Sequence, residues 1–179
     1  MLTIHCDGSS LGNPGPSSGG FYLEGHDTVY LYGYEHSTNN VGELRAMFMA
    51  LNYASRFPEE KVHITTDSGY VYDGLTKYGK GWVARHWKGV KNCELFRPTY
   101  HLFKEMSKSG RLTIEKVKGH SDHLGNQIIN DAVQQYSRMV KSGEVGEGSG
   151  ELSIRQVFEN HPIRYKSQLK ELNGENDSI

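Results

Sequence analysis

Two short runs of alternating apolar and polar residues, LTIHCD at 2–7 and KVHITTD at 61–67, each end on an aspartate, and a long amphipathic stretch separates them. Period-two alternation marks both as strands. Adjacent parallel strands of an α/β sheet deliver their C-terminal residues to one edge, where ligands usually bind. The pattern therefore constrains fold and site together. Between the two strands, GSSLGNPGPSSGG at 8–20 is turn-rich and closes the first one. Residues 20–25 and 28–36 are β-rich runs with a short polar turn between them, which predicts antiparallel pairing. Residues 41–57 carry Leu44, Met47, Phe48 and Leu51 at helical spacing, predicting an amphipathic helix that Pro58 ends.

After the second aspartate the chain continues with a short helix in SGYVYDGL. Residues 78–108 then read as helical with interruptions near 79–81 and 89. A strand at 111–119 and a helix at 124–141 follow, the helix carrying Ile128, Ile129, Ala132, Val133, Tyr136 and Val140. An initial meander followed by strands separated by helices predicts an α/β fold with a five-stranded mixed sheet flanked by helices. Residues 1–141 form the expected domain. GEVGEGSG marks 142–150 as a flexible, acidic, Gly-rich linker. The tail at 151–179 has too few apolar residues for a core of its own, so it either docks back on the domain or serves as a peptide for a partner protein.

The 179 residues carry 20 basic and 21 acidic side chains, a balance that hides an uneven distribution. Residues 75–104 hold Lys77, Lys80, Arg85, Lys88, Lys91, Arg97 and Lys104 against Glu94 alone, interleaved with Tyr78, Trp82, Trp87 and Tyr100. Cations beside rings fit a nucleic-acid footprint, and equally a solvated helical face with aromatics packed inward. No run approaches the roughly 20 apolar residues that span a bilayer, and the N-terminus has no secretory pattern. Two cysteines, Cys6 and Cys93, make no disulfide framework. A reducing, cytoplasmic location is expected, with no membrane partner. A monomer is expected too, since no extended apolar patch is evident.

Asp7 and Asp67 end the two strands, and Glu43 falls in the first turn of the 41–57 helix, beside its apolar stripe. Each has an ordinary explanation as a cap, turn or helix-end acid. Three carboxylates converging on one edge repel unless a cation neutralises them. Hard oxygen donors select Mg²⁺, with Mn²⁺ able to substitute. Two such ions about 3.5–4 Å apart serve in-line displacement at phosphorus. The Gly-rich loop at 12–20 lacks a following Gly-Lys-Ser/Thr and is no nucleotide-binding loop.

Four blocks carry a family resemblance: Asp7-Gly8-Ser9-Ser10-Leu11-Gly12-Asn13-Pro14-Gly15, Thr38-Asn39-Asn40-Val41-Gly42-Glu43-Leu44, Thr66-Asp67-Ser68-Gly69-Tyr70-Val71, and Val117-Lys118-Gly119-His120-Ser121-Asp122-His123 with Gly125-Asn126. In this order and spacing they resemble type I ribonuclease H over residues 1 to about 141. The resemblance implies a ribonuclease H-like fold and an endoribonuclease that hydrolyses the RNA strand of RNA–DNA hybrids with two Mg²⁺ ions, leaving 5′-phosphate and 3′-hydroxyl ends. It implies Asp7, Glu43 and Asp67 as metal ligands and His120 as a loop group aiding proton transfer or product release. It also implies Gly8, Ser10, Asn13, Thr38, Asn39, Asn40 and Ser68 as substrate contacts, with RNA told from DNA at its 2′-hydroxyls. Trp82, Trp87, Lys88 and Lys91 are candidates for the DNA-strand side, with helix packing as the competing role of the two tryptophans.

One position departs from that pattern. The fourth acid should stand ten residues after His120, where the chain has Asn130, followed by Asp131. The apolar stripe does not choose between the two; motif register chooses Asn130, as a catalytic and metal-site residue with an oxygen and no charge. Asn130 replaces an aspartate, is natural and tolerated, or yields its role to Asp131. Two other functions remain open: a catalytically impaired hybrid-binding form, and a DNA-directed nuclease of the same superfold. Gly69 stands where many relatives carry a longer polar side chain.

Overall fold

The computed structural model describes residues 1–119 and 122–175. Strands β1 (Leu2–Ser10), β2 (Gly15–Leu23) and β3 (Thr28–Ser37) form an antiparallel meander. Helix α1 (Asn39–Ala54) leads to β4 (Val62–Thr66), which runs parallel to β1. Helix α2 (Gly69–Asp73), a π-helical turn (Gly74–Tyr78), α3 (Gly79–Ala84) and α4 (Cys93–Lys108) precede β5 (Leu112–Lys116), parallel to β4. Helix α5 (Leu124–Ser142), strand β6 (Gly148–Ser153) and helices α6 (Ile154–Asn160) and α7 (Lys166–Leu172) complete the chain. The sheet order is β5-β4-β1-β2-β3-β6.

Two apolar layers cover the sheet. On one face α1 and α4 bury Leu44, Met47, Leu51, Phe96 and Tyr100 with Ile4, Cys6 and Ile64 of the strands. On the other, α5 packs Ile128, Ile129, Val133 and Tyr136 over Val29 and Leu31. Alternation along β1 explains the division: Ile4 and Cys6 face α1, while His5 and Asp7 face α5, where Asp7 meets Asn130.

The expected five strands become six. Gly148, Ser149 and Gly150, read as linker, pair antiparallel with Gly33, Tyr32 and Leu31. Glycine normally weakens a strand, which is why the segment reads as flexible. Here a Cβ on Gly150 would lie 2.0 Å from the Tyr136 hydroxyl, so the Tyr136 ring of α5 needs a bare backbone beneath it. The tail is not a detached appendage: Leu152, Ile154, Val157, Phe158 and Tyr165 are buried in the α5 layer. A second correction concerns β2, which begins at Gly15 and not Gly20. Small residues read as turn formers are instead strand residues under a close helix, with Ser17 and Ser18 fully buried.

Candidate active site

Asp7 stands at the end of β1 and Asp67 follows β4, its parallel neighbour. Glu43 reaches them because α1 approaches the sheet without intervening side chains. A Cβ on Gly8 would lie 2.5 Å from the Glu43 nitrogen, and one on Gly19 would lie 1.9 Å from the Gly42 oxygen. Three glycines, at 8, 19 and 42, thus let backbone touch backbone and seat Glu43 beside Asp7. Thr38 caps α1 by accepting from the Val41 N–H at 3.2 Å. The helix starts earlier than its apolar stripe, so Glu43 lies past the first turn, where helix-end electrostatics no longer accounts for it.

Asp7, Glu43 and Asp67 each offer an oxygen, and the three lie within 4.8 Å of one another. Asp7 and Glu43 are only 6% and 4% exposed. Burial, then the charge of Asp67, raises the Asp7 carboxyl to about 6. Burial, then the charges of Asp7 and Asp67, pushes Glu43 well above the usual carboxylate range. Glu43 Oε2 and Asp67 Oδ1 are buried without a hydrogen-bond partner. Buried oxygens left unpaired beside like charges are costly. A divalent cation answers both demands, and an all-oxygen set suits Mg²⁺ or Mn²⁺. The residues therefore fit such an ion.

Asn130 and Asp131 part company. Asn130 Nδ2 donates to Asp7 Oδ2 at 3.0 Å, and Asn130 Oδ1 accepts from Gln134 Nε2 at 3.0 Å. Asp131 faces away from the cluster: both its oxygens accept from Arg164 Nη1 at 2.5 Å, and the Tyr165 hydroxyl donates to Oδ2 at 2.5 Å. The position that motif register selects is thus the one beside Asp7, and Asp131 is committed to the tail. Sequence reasoning missed Arg164, which borders the same cavity of about 230 Å³ as Asp7, Asp67, Lys118 and Asn130. Its only signal was its place as one of two arginines, Arg155 and Arg164, in an acidic tail.

The other expected site residues are scattered around this centre. Asn13 Oδ1 accepts from the Asn39 N–H at 3.1 Å, tying the 11–14 loop to the start of α1, and Asn13, Asn39 and Asn40 are exposed. The Ser10 hydroxyl donates to the Gly12 carbonyl. Ser68 caps α2 through the Val71 N–H at 3.1 Å. Lys88 and Lys91 are exposed. Trp87 is 7% exposed and meets the Tyr100 ring, while Trp82 packs edge-on to Phe96, so the structure places both tryptophans with the core. Of the two roles open to Trp87, this packing favours the helix-packing one: a ring that packs the core has little face left for a base. His120 lies outside the described residues.

Fold and site together define an α/β protein with a buried carboxylate cluster, fit for divalent cations, at the C-terminal edge of parallel strands. A family model described as RNase H matches residues 1–138. The ribonuclease H of Maricaulis maris (strain MCS10) is 36% identical over 141 residues, 75% of this chain and 91% of the relative. Among solved structures, LC9-RNase H1, described as a type 1 RNase H with the type 2 active-site motif, is similar with a TM-score of 0.60 at 22% identity, over 88% of this chain and 80% of its own. LC11-RNase H1, solved in complex with an RNA/DNA hybrid, is similar with a TM-score of 0.51 at 18% identity, over 76% of this chain and 99% of its own. The chain belongs to the ribonuclease H family of enzymes.

Proposed function

We propose that the protein cleaves the RNA strand of RNA–DNA hybrids endonucleolytically, leaving 5′-phosphate and 3′-hydroxyl ends. The observation that carries this reading is the buried convergence of Asp7, Glu43 and Asp67, with two of their oxygens unpartnered. These three side chains would hold two Mg²⁺ ions, and Asn130 would add an amide oxygen after rotating away from Asp7. Bound ions supply water activation and stabilisation of the leaving oxygen. The residues do the rest. Burial keeps bulk water away from the carboxylates. The N–H groups and side chains of Gly8, Ser10, Asn13, Thr38, Asn39, Asn40 and Ser68 would bind the sugar–phosphate backbone and its 2′-hydroxyls. Lys88 and Lys91 would meet phosphates of the DNA strand, and His120 would move a proton at the leaving group.

A protein of the same fold, LC11-RNase H1, has been solved with an RNA/DNA hybrid, which supports the substrate class. Among the described residues no helix is long and apolar enough to cross a membrane. We place the enzyme in the cytoplasm as a monomer. The experiment is a labelled hybrid incubated with Mg²⁺ or Mn²⁺ beside the matching DNA duplex. RNA fragments with 3′-hydroxyl ends are expected. Preferential cutting of the DNA duplex would overturn the assignment. The Asn130 amide, bonded to Asp7 and uncharged, favours a second reading as an impaired hybrid binder, which retention without cleavage would support.

A further inference from the structure

The residues matched by the ribonuclease H family model end at 138, yet a later residue borders the cavity that Asp7 and Asp67 line. Arg164 lies between α6 and α7 and borders the cavity that holds Asp7, Asp67 and Asn130. Its anchoring is unusually firm for a tail residue. Nη1 donates to both oxygens of Asp131 at 2.5 Å, and Asp131 is itself 4% exposed. Tyr165, fully buried, donates to the same carboxylate, and Phe158 packs on its ring with centroids 4.6 Å apart.

A purely structural ion pair would account for Asp131, but it leaves part of the guanidinium unused. The bonds to Asp131 engage Nη1 alone, and the side chain stays 48% exposed. The partner of Arg164 is also the chain neighbour of Asn130, which touches Asp7. A guanidinium is therefore held at the border of a cavity whose floor carries Asp7 and Asp67, with Asp122 also in its lining. Such a floor repels a phosphodiester. A fixed guanidinium offsets that repulsion, and its planar fork matches phosphate oxygens in a way a surface lysine does not.

We propose that Arg164 is a substrate contact, binding a non-bridging oxygen of a backbone phosphate in the nucleic-acid strand that lies over the acid cluster. The C-terminal extension then supplies part of the active site. This rests on the reading of the chain as a nuclease acting on hybrids.

The test is hybrid binding followed by fluorescence anisotropy in EDTA across a salt series, with KM and kcat measured separately in Mg²⁺. Arg164→Ala is expected to weaken binding roughly tenfold, as loss of a charge-assisted hydrogen bond would. The plot of log affinity against log salt should become shallower by about 1, the signature of one lost phosphate contact. KM should rise more than kcat falls, and Arg164→Lys should recover part of the affinity. Arg155→Ala, elsewhere on the tail and bonded to Asn173, is the charge control and should leave the slope unchanged. Tyr165→Phe loosens the anchor while keeping the guanidinium, so it should lower the melting temperature and keep the slope.

If Arg164→Ala does not fold, Arg164→Gln keeps a donor for Asp131, loses the charge, and must show the shallower slope. Wild-type affinity and slope in the uncharged variant would overturn the proposal and leave Arg164 a structural pin. A wild-type protein that binds no hybrid would sink the functional reading and this inference with it. Hybrid binding that is unaffected by the loss of Arg164 would sink this inference alone.

Discussion

Asp7→Asn should abolish cleavage and yet stabilise the protein in the absence of metal. The Asp7 carboxyl is raised from 3.8 to about 6 by burial and by Asp67. Its folded-state value lies above the unfolded one, so the folded chain binds more protons between those limits. Stability then rises as pH falls from about 6 toward 4, and the penalty is complete above about 6. A shift of about two units corresponds to about 3 kcal/mol at neutral pH. The amide removes that penalty but disturbs the bonds from the Gly8 N–H at 2.8 Å and from Asn130 at 3.0 Å, each worth about 1 kcal/mol. A net gain of about 1 kcal/mol remains, or roughly 2–4 °C in melting temperature for a chain of this size. The assay is thermal unfolding in EDTA at pH 7.5 and pH 4.5. The variant should melt higher at pH 7.5 and lose most of that advantage at pH 4.5. Added Mg²⁺ should raise the wild-type melting temperature by ligand linkage and the variant's by much less. A variant that melts below wild type at pH 7.5, or whose advantage is the same at both pH values, would refute the like-charge account of the site.

Three further outcomes are expected. Asn130→Asp adds a fourth carboxylate beside Asp7; calorimetric titration should show tighter Mg²⁺ binding, and hybrid cleavage should rise by orders of magnitude, while the metal-free form melts lower. Gly150→Ala drives a Cβ into the Tyr136 hydroxyl and should cost about 1–3 kcal/mol in denaturant unfolding, with kcat per folded molecule unchanged. Trp87→Ala should cost about 3–5 kcal/mol as a core truncation, whereas the Lys88→Ala/Lys91→Ala pair should leave stability alone and flatten the salt dependence of hybrid binding.

The strands and helices of the first 141 residues were legible because their burial is one-sided and periodic: Ile4 and Cys6 alternate with His5 and Asp7, and α5 presents an apolar stripe. The acid cluster was legible because parallel strands bring Asp7 and Asp67 to one edge wherever the details fall. What escaped was structure made by small residues. Ser17, Ser18, Gly19 and Gly20 have the composition of a turn, but Gly19 lies against α1, Gly20 against β3, and the Ser18 hydroxyl bonds to Val133 and Ser137 of α5. Gly148 and Gly150 have the composition of a linker; a backbone at φ +123° explains the first and the Tyr136 ring the second. Composition records what a residue does alone; a close backbone contact depends on a partner more than ten residues away. The tail docks on the domain, one of the two fates its composition left open, and its apolar residues complete the α5 layer and form no core by themselves.

Asn130 and Asp131 show how one helix divides two tasks between neighbouring positions. Successive residues of an α-helix point about 100° apart, so when Asn130 faces Asp7 its neighbour cannot. Asp131 turns to Arg164 and Tyr165, and the negative charge of α5 is used to fasten the tail. The neutral side chain faces the cluster and donates a hydrogen bond to it. Both choices make the cavity less negative than four converging acids would. Lys118 and Arg164 at its border shift it further in the same direction, against Asp122 in the same lining. Such a site should hold divalent cations less tightly and repel an approaching phosphodiester less strongly than one with an aspartate at 130. The two effects oppose each other in catalysis, so the cleavage rate of Asn130→Asp as Mg²⁺ is raised separates them. If metal affinity limits the wild-type enzyme, the variant's advantage shrinks as Mg²⁺ approaches saturation. If phosphate repulsion is what Asn130 relieves, saturating Mg²⁺ leaves the variant with the higher KM.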